Sequence, residues 1–244
     1  MDKNFKDPFV GVLGGMGPMA AAVFMCRLIA ITPVEHDEQH IPAILWNDPR
    51  IPDRRLAYFH NGADPMPWIN HAIAHMAHAG AKVIAIPCNT VHLWFEKIAA
   101  ASPIPVLHIV QAVIDDLHRQ GIHSGRVGLM GTALTLQLGL YQGFLEAKGY
   151  TCIVLNEDQV EEYCTKPIQL VKLNRSNEAF EPAAAGVNIL RELGADAVIL
   201  GCTELPIAVP HYRRSELGVP VIDSIDALAH ATLERYRKEE SFSD

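Results

Sequence analysis

Two stretches of this sequence are copies of each other. Residues 79–90, Ala-Gly-Ala-Lys-Val-Ile-Ala-Ile-Pro-Cys-Asn-Thr, align without a gap on residues 193–204, Leu-Gly-Ala-Asp-Ala-Val-Ile-Leu-Gly-Cys-Thr-Glu, which sets Cys88 on Cys202. Each reads as the Gly-Ala end of a helix, a buried apolar strand, and a cysteine where the strand stops. Ile104-Pro105-Val106-Leu107 matches Val219-Pro220-Val221-Ile222, and Gly11–Met16 loosely matches Val127–Thr132. A chain that repeats a half of roughly 115 residues is two related lobes. Two cysteines related by a pseudo-twofold axis can face each other across a cleft.

Strands alternating with helices along both halves predict an α/β fold. Each of two pseudo-symmetric lobes has a mainly parallel sheet flanked by helices. Ligands of such sheets bind beyond the carboxyl ends of the strands. Met16, Asn47, Cys88, Thr132 and Cys202 all fall at such ends, so the site is expected in the cleft. The first strand is placed at residues 8–13, with Gly14–Gly17 as its turn and Pro18 at the first helical position. The second is placed at residues 41–46, followed by a proline-rich loop from Asn47 to Arg55. In the second half a helix is predicted over 137–148.

Composition narrows the function classes. At 244 residues, 49% of them apolar, the chain carries enough hydrophobic surface for large cores. A net charge of −8 with no basic stripe argues against nucleic acid. The polar first seven residues lack an apolar signal core, and no apolar run suits a membrane span, so a cytoplasmic protein is expected. Five cysteines, widely spaced and without a C-x-x-C pair, argue against a disulfide framework or a zinc site.

A lone free cysteine usually packs as a small hydrophobe. Cys88 and Cys202 differ, because each follows a strand and precedes polar residues able to cap a helix: Asn89-Thr90 and Thr203-Glu204. Backbone N–H groups at a helix start favour thiolate. Cys26, Cys152 and Cys164 lack these features and read as structural. Gly15-Met16-Gly17-Pro18-Met19-Ala20 fits a dinucleotide fingerprint, but Glu35 and Glu38 precede the second strand instead of ending it. The turn is better suited to holding a carboxylate on its N–H groups. His71, His75 and His78 share one helix face opposite Ile69, Ile73 and Met76, and so should face solvent rather than hold a metal. No Ser/His/Asp array is present, and no lysine sits in a cofactor-attaching context.

Gly11–Pro18, Asn47–Arg54, Pro87–His92 and Gly201–Leu205 together resemble the aspartate/glutamate racemase family, over nearly the whole chain. Its superfamily also holds hydantoin racemases, maleate isomerases and arylmalonate decarboxylases. The resemblance implies racemisation of a small dicarboxylic amino acid without pyridoxal phosphate or any other cofactor. It implies Cys88 and Cys202 as the acid/base thiols. It implies that Asn89, Thr90, Thr132 and Thr203 hold the α-carboxylate and amine, that Arg54 meets the side-chain carboxylate, and that Lys172 contacts substrate. Met16 in the first turn and Glu204 beside Thr203 complete the substrate-binding set. Leu134 stands where relatives tend to have glycine. The last strand and helix of each half can cross over, so residues 1–101 with 215–244 are expected as one lobe and 102–214 as the other. A homodimer is the usual assembly.

Two alternatives share the cysteines. One is a related two-cysteine isomerase, of the hydantoin type or of the maleate cis–trans type that adds one of them covalently to substrate; the other is a two-lobed protein that binds carboxylates without turnover. An arylmalonate decarboxylase typically needs only the second cysteine, and Cys88 speaks against it.

Overall fold

A computed structural model describes residues 8–240, with the polar N-terminal stretch and the last four residues outside it. Among the described residues seven strands form two wholly parallel sheets. The first contains β1 (Phe9–Gly14), β2 (Ala43–Asn47) and β3 (Ala81–Ala85) in the order β2-β1-β3. The second contains β4 (Gly125–Met130), β5 (Tyr150–Val154), β6 (Ala197–Leu200) and β7 (Val221–Asp223) in the order β5-β4-β6-β7.

The repeat survives down to single hydrogen bonds. Val198 N–H donates to Pro220 O at 2.9 Å where β6 meets β7. In the first sheet Ile84 N–H donates to Pro105 O at 2.9 Å, and Ile84 bridges Val106 in parallel. The sheets therefore share one layout, with the fourth position reduced to a single bridge in the first.

By contacts the chain forms two compact units. Among the described residues, one holds those up to Pro87, Trp94–His108 and those from Leu228; the other holds Cys88–Leu93 and Ile109–Ala227. Thus β7 stays on the second sheet, the helix Ser224–Glu240 passes from one unit to the other, and the six residues beginning at Cys88 belong with the second sheet.

β1 and β6 read as uninterrupted apolar runs because both faces are covered. All four residues of β6 are buried. The helices Pro18–Ile31 and Met66–His78 both pack on β1, and Phe180–Glu192 packs on β4 and β6. His71, His75 and His78 are exposed while Ile69, Ile73 and Met76 are buried, as the helical spacing requires.

Local chemistry moved several boundaries. The Asn47–Arg55 loop ends early, because the Asp53 carboxylate accepts from the N–H groups of Arg55 and Leu56 and starts a helix at Arg54. The helix predicted over 137–148 is broken by Gly139 (φ 67°) into Ala133–Gln137 and Gln142–Ala147. Gly15 (φ 96°) closes the β1 turn, where an added Cβ would stand 2.1 Å from the Asp48 carbonyl oxygen. Gly15→Ala meets both a left-handed backbone and a rigid wall. A loss of at least about 2 kcal/mol in urea unfolding is expected; an unchanged midpoint would mean that the turn relaxes freely.

Candidate active site

One compact unit holds eight of the sequence-derived residues, Cys88, Asn89, Thr90, Thr132, Lys172, Cys202, Thr203 and Glu204, together with Tyr141 and Ser224; Thr132 follows β4, Cys202–Glu204 follow β6 and Ser224 follows β7. After β6 the chain turns through Gly201-Cys202-Thr203-Glu204 before the short helix Leu205–Ala208. Cys202, Thr203 and Glu204 are all buried. The Cys202 thiol donates to Glu204 Oε2 at 3.0 Å, and the other carboxylate oxygen, Oε1, is buried without a hydrogen-bond partner.

The expected helix-start effect on Cys202 exists but is outweighed. Burial raises the thiol well above its usual range, the Glu204 charge and hydrogen bond add to this, and Lys172 and the Glu204 N–H oppose it. Cys202 therefore carries its proton here. Lys172 ends the helix Lys166–Lys172, is itself exposed, and acts on Cys202 through its charge.

The Cys88 segment is held by side chains. His92 Nδ1 contacts the Cys88 carbonyl at 2.8 Å, and His92 N–H donates to Asn89 O at 2.9 Å. A single 3₁₀ stretch, Thr90–Trp94, follows instead of an immediate α-helix. Thr90 Oγ1 lies 3.2 Å from Thr132 Oγ1 and 3.1 Å from Thr135 Oγ1. Thr132 caps Ala133–Gln137 by accepting from Thr135 N–H. Asn89 Nδ2 donates to Ser224 Oγ at 3.1 Å, and its Oδ1 accepts from the Tyr141 hydroxyl.

Met16 and Arg54 lie in the other unit. Arg54 donates to the carbonyls of Ile51, Pro52 and Met16 at 3.4, 3.0 and 3.2 Å, tying its loop to the β1 turn, while its buried Nε lacks a partner. Arg50 is paired with Asp48 at 2.9 Å and stands over Trp68. Asn47 Nδ2 donates to Pro18 O at 3.3 Å.

Thr135, Tyr141, His92 and Ser224 did not stand out in the sequence. Thr135 carries the faint signal of lying three residues after a capping threonine, and Ser224 opens the last helix after Asp223. His92 closes the Pro87–His92 motif, but its partner is a backbone carbonyl and gave its role no signal, and Tyr141 gives none, since its partner is distant in sequence. The remaining cysteines fit structural roles: burial pushes Cys164 up to about 12 and Cys152 to about 11, and Cys26 is on the surface. Among the described residues His211, Asp223 and Asp226 form a grouping of metal-ligand type. Arg214 pairs with Asp223 and lies 3.9 Å from Asp226, so a guanidinium already supplies the positive charge there.

The sequence model of the Asp/Glu/hydantoin racemases matches residues 13–232. The chain belongs to the Asp/Glu/hydantoin racemase family. Membership makes it a racemase, an isomerase. It is 27% identical over 236 residues to the broad-specificity amino-acid racemase RacX of Bacillus subtilis, covering 93% of this chain and 97% of that one. A glutamate racemase of Enterococcus faecalis is 30% identical over 136 residues, 53% of this chain and 46% of the relative. The chain thus matches about half the length of that enzyme. The aspartate racemase of Picrophilus torridus superposes with a TM-score of 0.83 at 33% identity, covering 94% of each chain. Among the described residues no helix is long and apolar enough to cross a membrane.

Proposed function

We propose that this racemase interconverts the L and D forms of aspartate or glutamate, with Cys88 and Cys202 as its two proton carriers. The observation that carries the reading is the Cys202 thiol, buried, protonated and hydrogen-bonded to Glu204, in the same unit as a Cys88 segment fastened by Asn89 and Thr90.

Inverting Cα requires a base on one face and an acid on the other. A Cys88 thiolate takes the α-proton while the Cys202 thiol delivers its own to the opposite face. The protein is left as Cys88 thiol and Cys202 thiolate, the form that runs the reverse direction. The Thr90, Thr132 and Thr203 hydroxyls and the turn N–H groups are the donors for the α-carboxylate, on which charge builds as the proton leaves. Arg54 pairs with the second carboxylate. Lys172 draws the anionic substrate in and favours the Cys202 thiolate, and Glu204 faces the ammonium. Two thiols supply both proton transfers, so the reading includes no cofactor or metal. It also includes a homodimer, the assembly the resemblance implies. A cytoplasmic setting completes it, because reactive thiols stay reduced there.

Incubation with L-aspartate or L-glutamate in deuterated water, followed by chiral chromatography and mass spectrometry, tests this. The expected product is the D enantiomer carrying one α-deuterium. Tight binding with the α-proton retained would replace the reading by a carboxylate-binding protein. A panel extended to neutral amino acids measures the breadth that the name of the Bacillus relative describes.

A further inference from the structure

Tyr141 is a fully buried phenol to which the two-thiol chemistry assigns no part. It caps the start of Gln142–Ala147, more than fifty residues from either cysteine, yet it meets both cysteine segments. Its hydroxyl donates to Asn89 Oδ1, next to Cys88, and Asn89 Nδ2 passes the chain on to Ser224 Oγ at 3.1 Å. Its ring edge faces Gly201, next to Cys202: a Cβ on Gly201 would lie 3.2 Å from the ring. Gly201 is pinned in turn by its N–H to Met130 O at 2.7 Å.

We propose that Tyr141 is a positioning residue that sets the Cys88 segment against the strand end carrying Cys202, acting through the Tyr141–Asn89–Ser224 chain. The inference rests on the two-thiol reading. A carbonyl oxygen only accepts and an amide nitrogen only donates, so the phenol fixes which way the Asn89 amide points. Burial holds the phenol far above its usual range, so it donates at every working pH. One amide proton and one lone pair of Asn89 remain for substrate. Proton transfer tolerates little misplacement, and an error near 1 Å costs on the order of 10²-fold.

Tyr141→Phe keeps the ring against Gly201 and removes only the hydroxyl. Three quantities are read on the full chain: kcat/KM for racemisation, Tm, and the relative rates at which iodoacetamide alkylates Cys88 and Cys202, resolved by mass spectrometry. The expected result is a fall in kcat/KM of about tenfold or more, carried by kcat. Tm should stay within about 5 °C, and the Cys88:Cys202 alkylation ratio should change severalfold. Ser224→Ala should move the ratio and kcat in the same direction by less, and it decides the matter if Tyr141→Phe does not fold. Wild-type kinetics with an unchanged ratio would overturn the inference. So would lost activity matched by a collapsed Tm while the ratio in the folded fraction stays fixed. Absence of racemisation in the wild type would defeat the two-thiol reading instead, and the alkylation ratio would still decide the role of Tyr141.

Discussion

Replacing Cys88 or Cys202 by alanine is expected to abolish racemisation, with a loss of 10³-fold or more, while each protein still folds. General acid–base groups contribute about 10²–10⁴-fold each, and inversion needs both at once. Each thiol is base in one direction and acid in the other, so neither is spare. Each single variant keeps one carrier and should still exchange the α-proton of one enantiomer with solvent, seen as deuterium uptake without inversion. The structural cost differs between the sites. Cys202→Ala removes the donor to Glu204 and leaves a buried carboxylate with less satisfaction than before, a penalty of about 1–3 kcal/mol. Cys202→Ser retains a hydroxyl donor and separates that cost from the chemistry, since serine is a far weaker acid than cysteine. Chiral chromatography and thermal melts on all three variants form the check. Inversion at near wild-type rate by any of them would return that cysteine to an ordinary packing role.

Arg54→Ala is expected to lower kcat/KM for aspartate or glutamate by on the order of 10²-fold and to spare neutral amino acids. A charge-assisted hydrogen bond is worth roughly 1.5–3 kcal/mol, and a guanidinium pairs with a carboxylate through two of them. Loss of both on binding and in the transition state appears in kcat/KM. In the unliganded protein that fork lies on the carbonyls of Ile51, Pro52 and Met16, with Nε unsatisfied. Neutral acceptors at 3.0–3.4 Å are weaker partners than a carboxylate, so exchanging them for substrate is favourable. Arg54→Lys keeps the charge without the fork and should recover only part of the loss. Initial rates on acidic and neutral amino acids in parallel decide it. An equal drop for both classes would make Arg54 a clamp between its loop and the β1 turn, with no part in selectivity.

Much of this protein was legible in its sequence because the relevant signals are local or repeated. Apolar runs leading to a cysteine marked β3 and β6: all of β6 is buried, and in β3 only Lys82 is exposed. Pro18 after a glycine turn marked a helix start, and the spacing of His71, His75 and His78 against Ile69, Ile73 and Met76 marked an exposed face. The alignment of Cys88 on Cys202 located both thiols and the family motifs around them. Local chemistry that competes over one or two residues was harder to read: the Asp53 cap at Arg54 and the break at Gly139 shifted elements whose existence was clear.

Only the tertiary structure decided the state of the Cys202 thiol and what holds the two cysteine segments. A helix start by itself favours thiolate, but burial and the Glu204 carboxylate outweigh it at Cys202. Both depend on neighbours and depth, which the order of residues does not state. The same holds for Tyr141, Asn89 and Ser224, whose partners lie 52 and 135 residues apart in the chain. Tyr141 and Ser224 are ordinary residues in their own segments, and their connection to Asn89 exists only because folding sets the residues after Pro87 in the same compact unit as the second sheet.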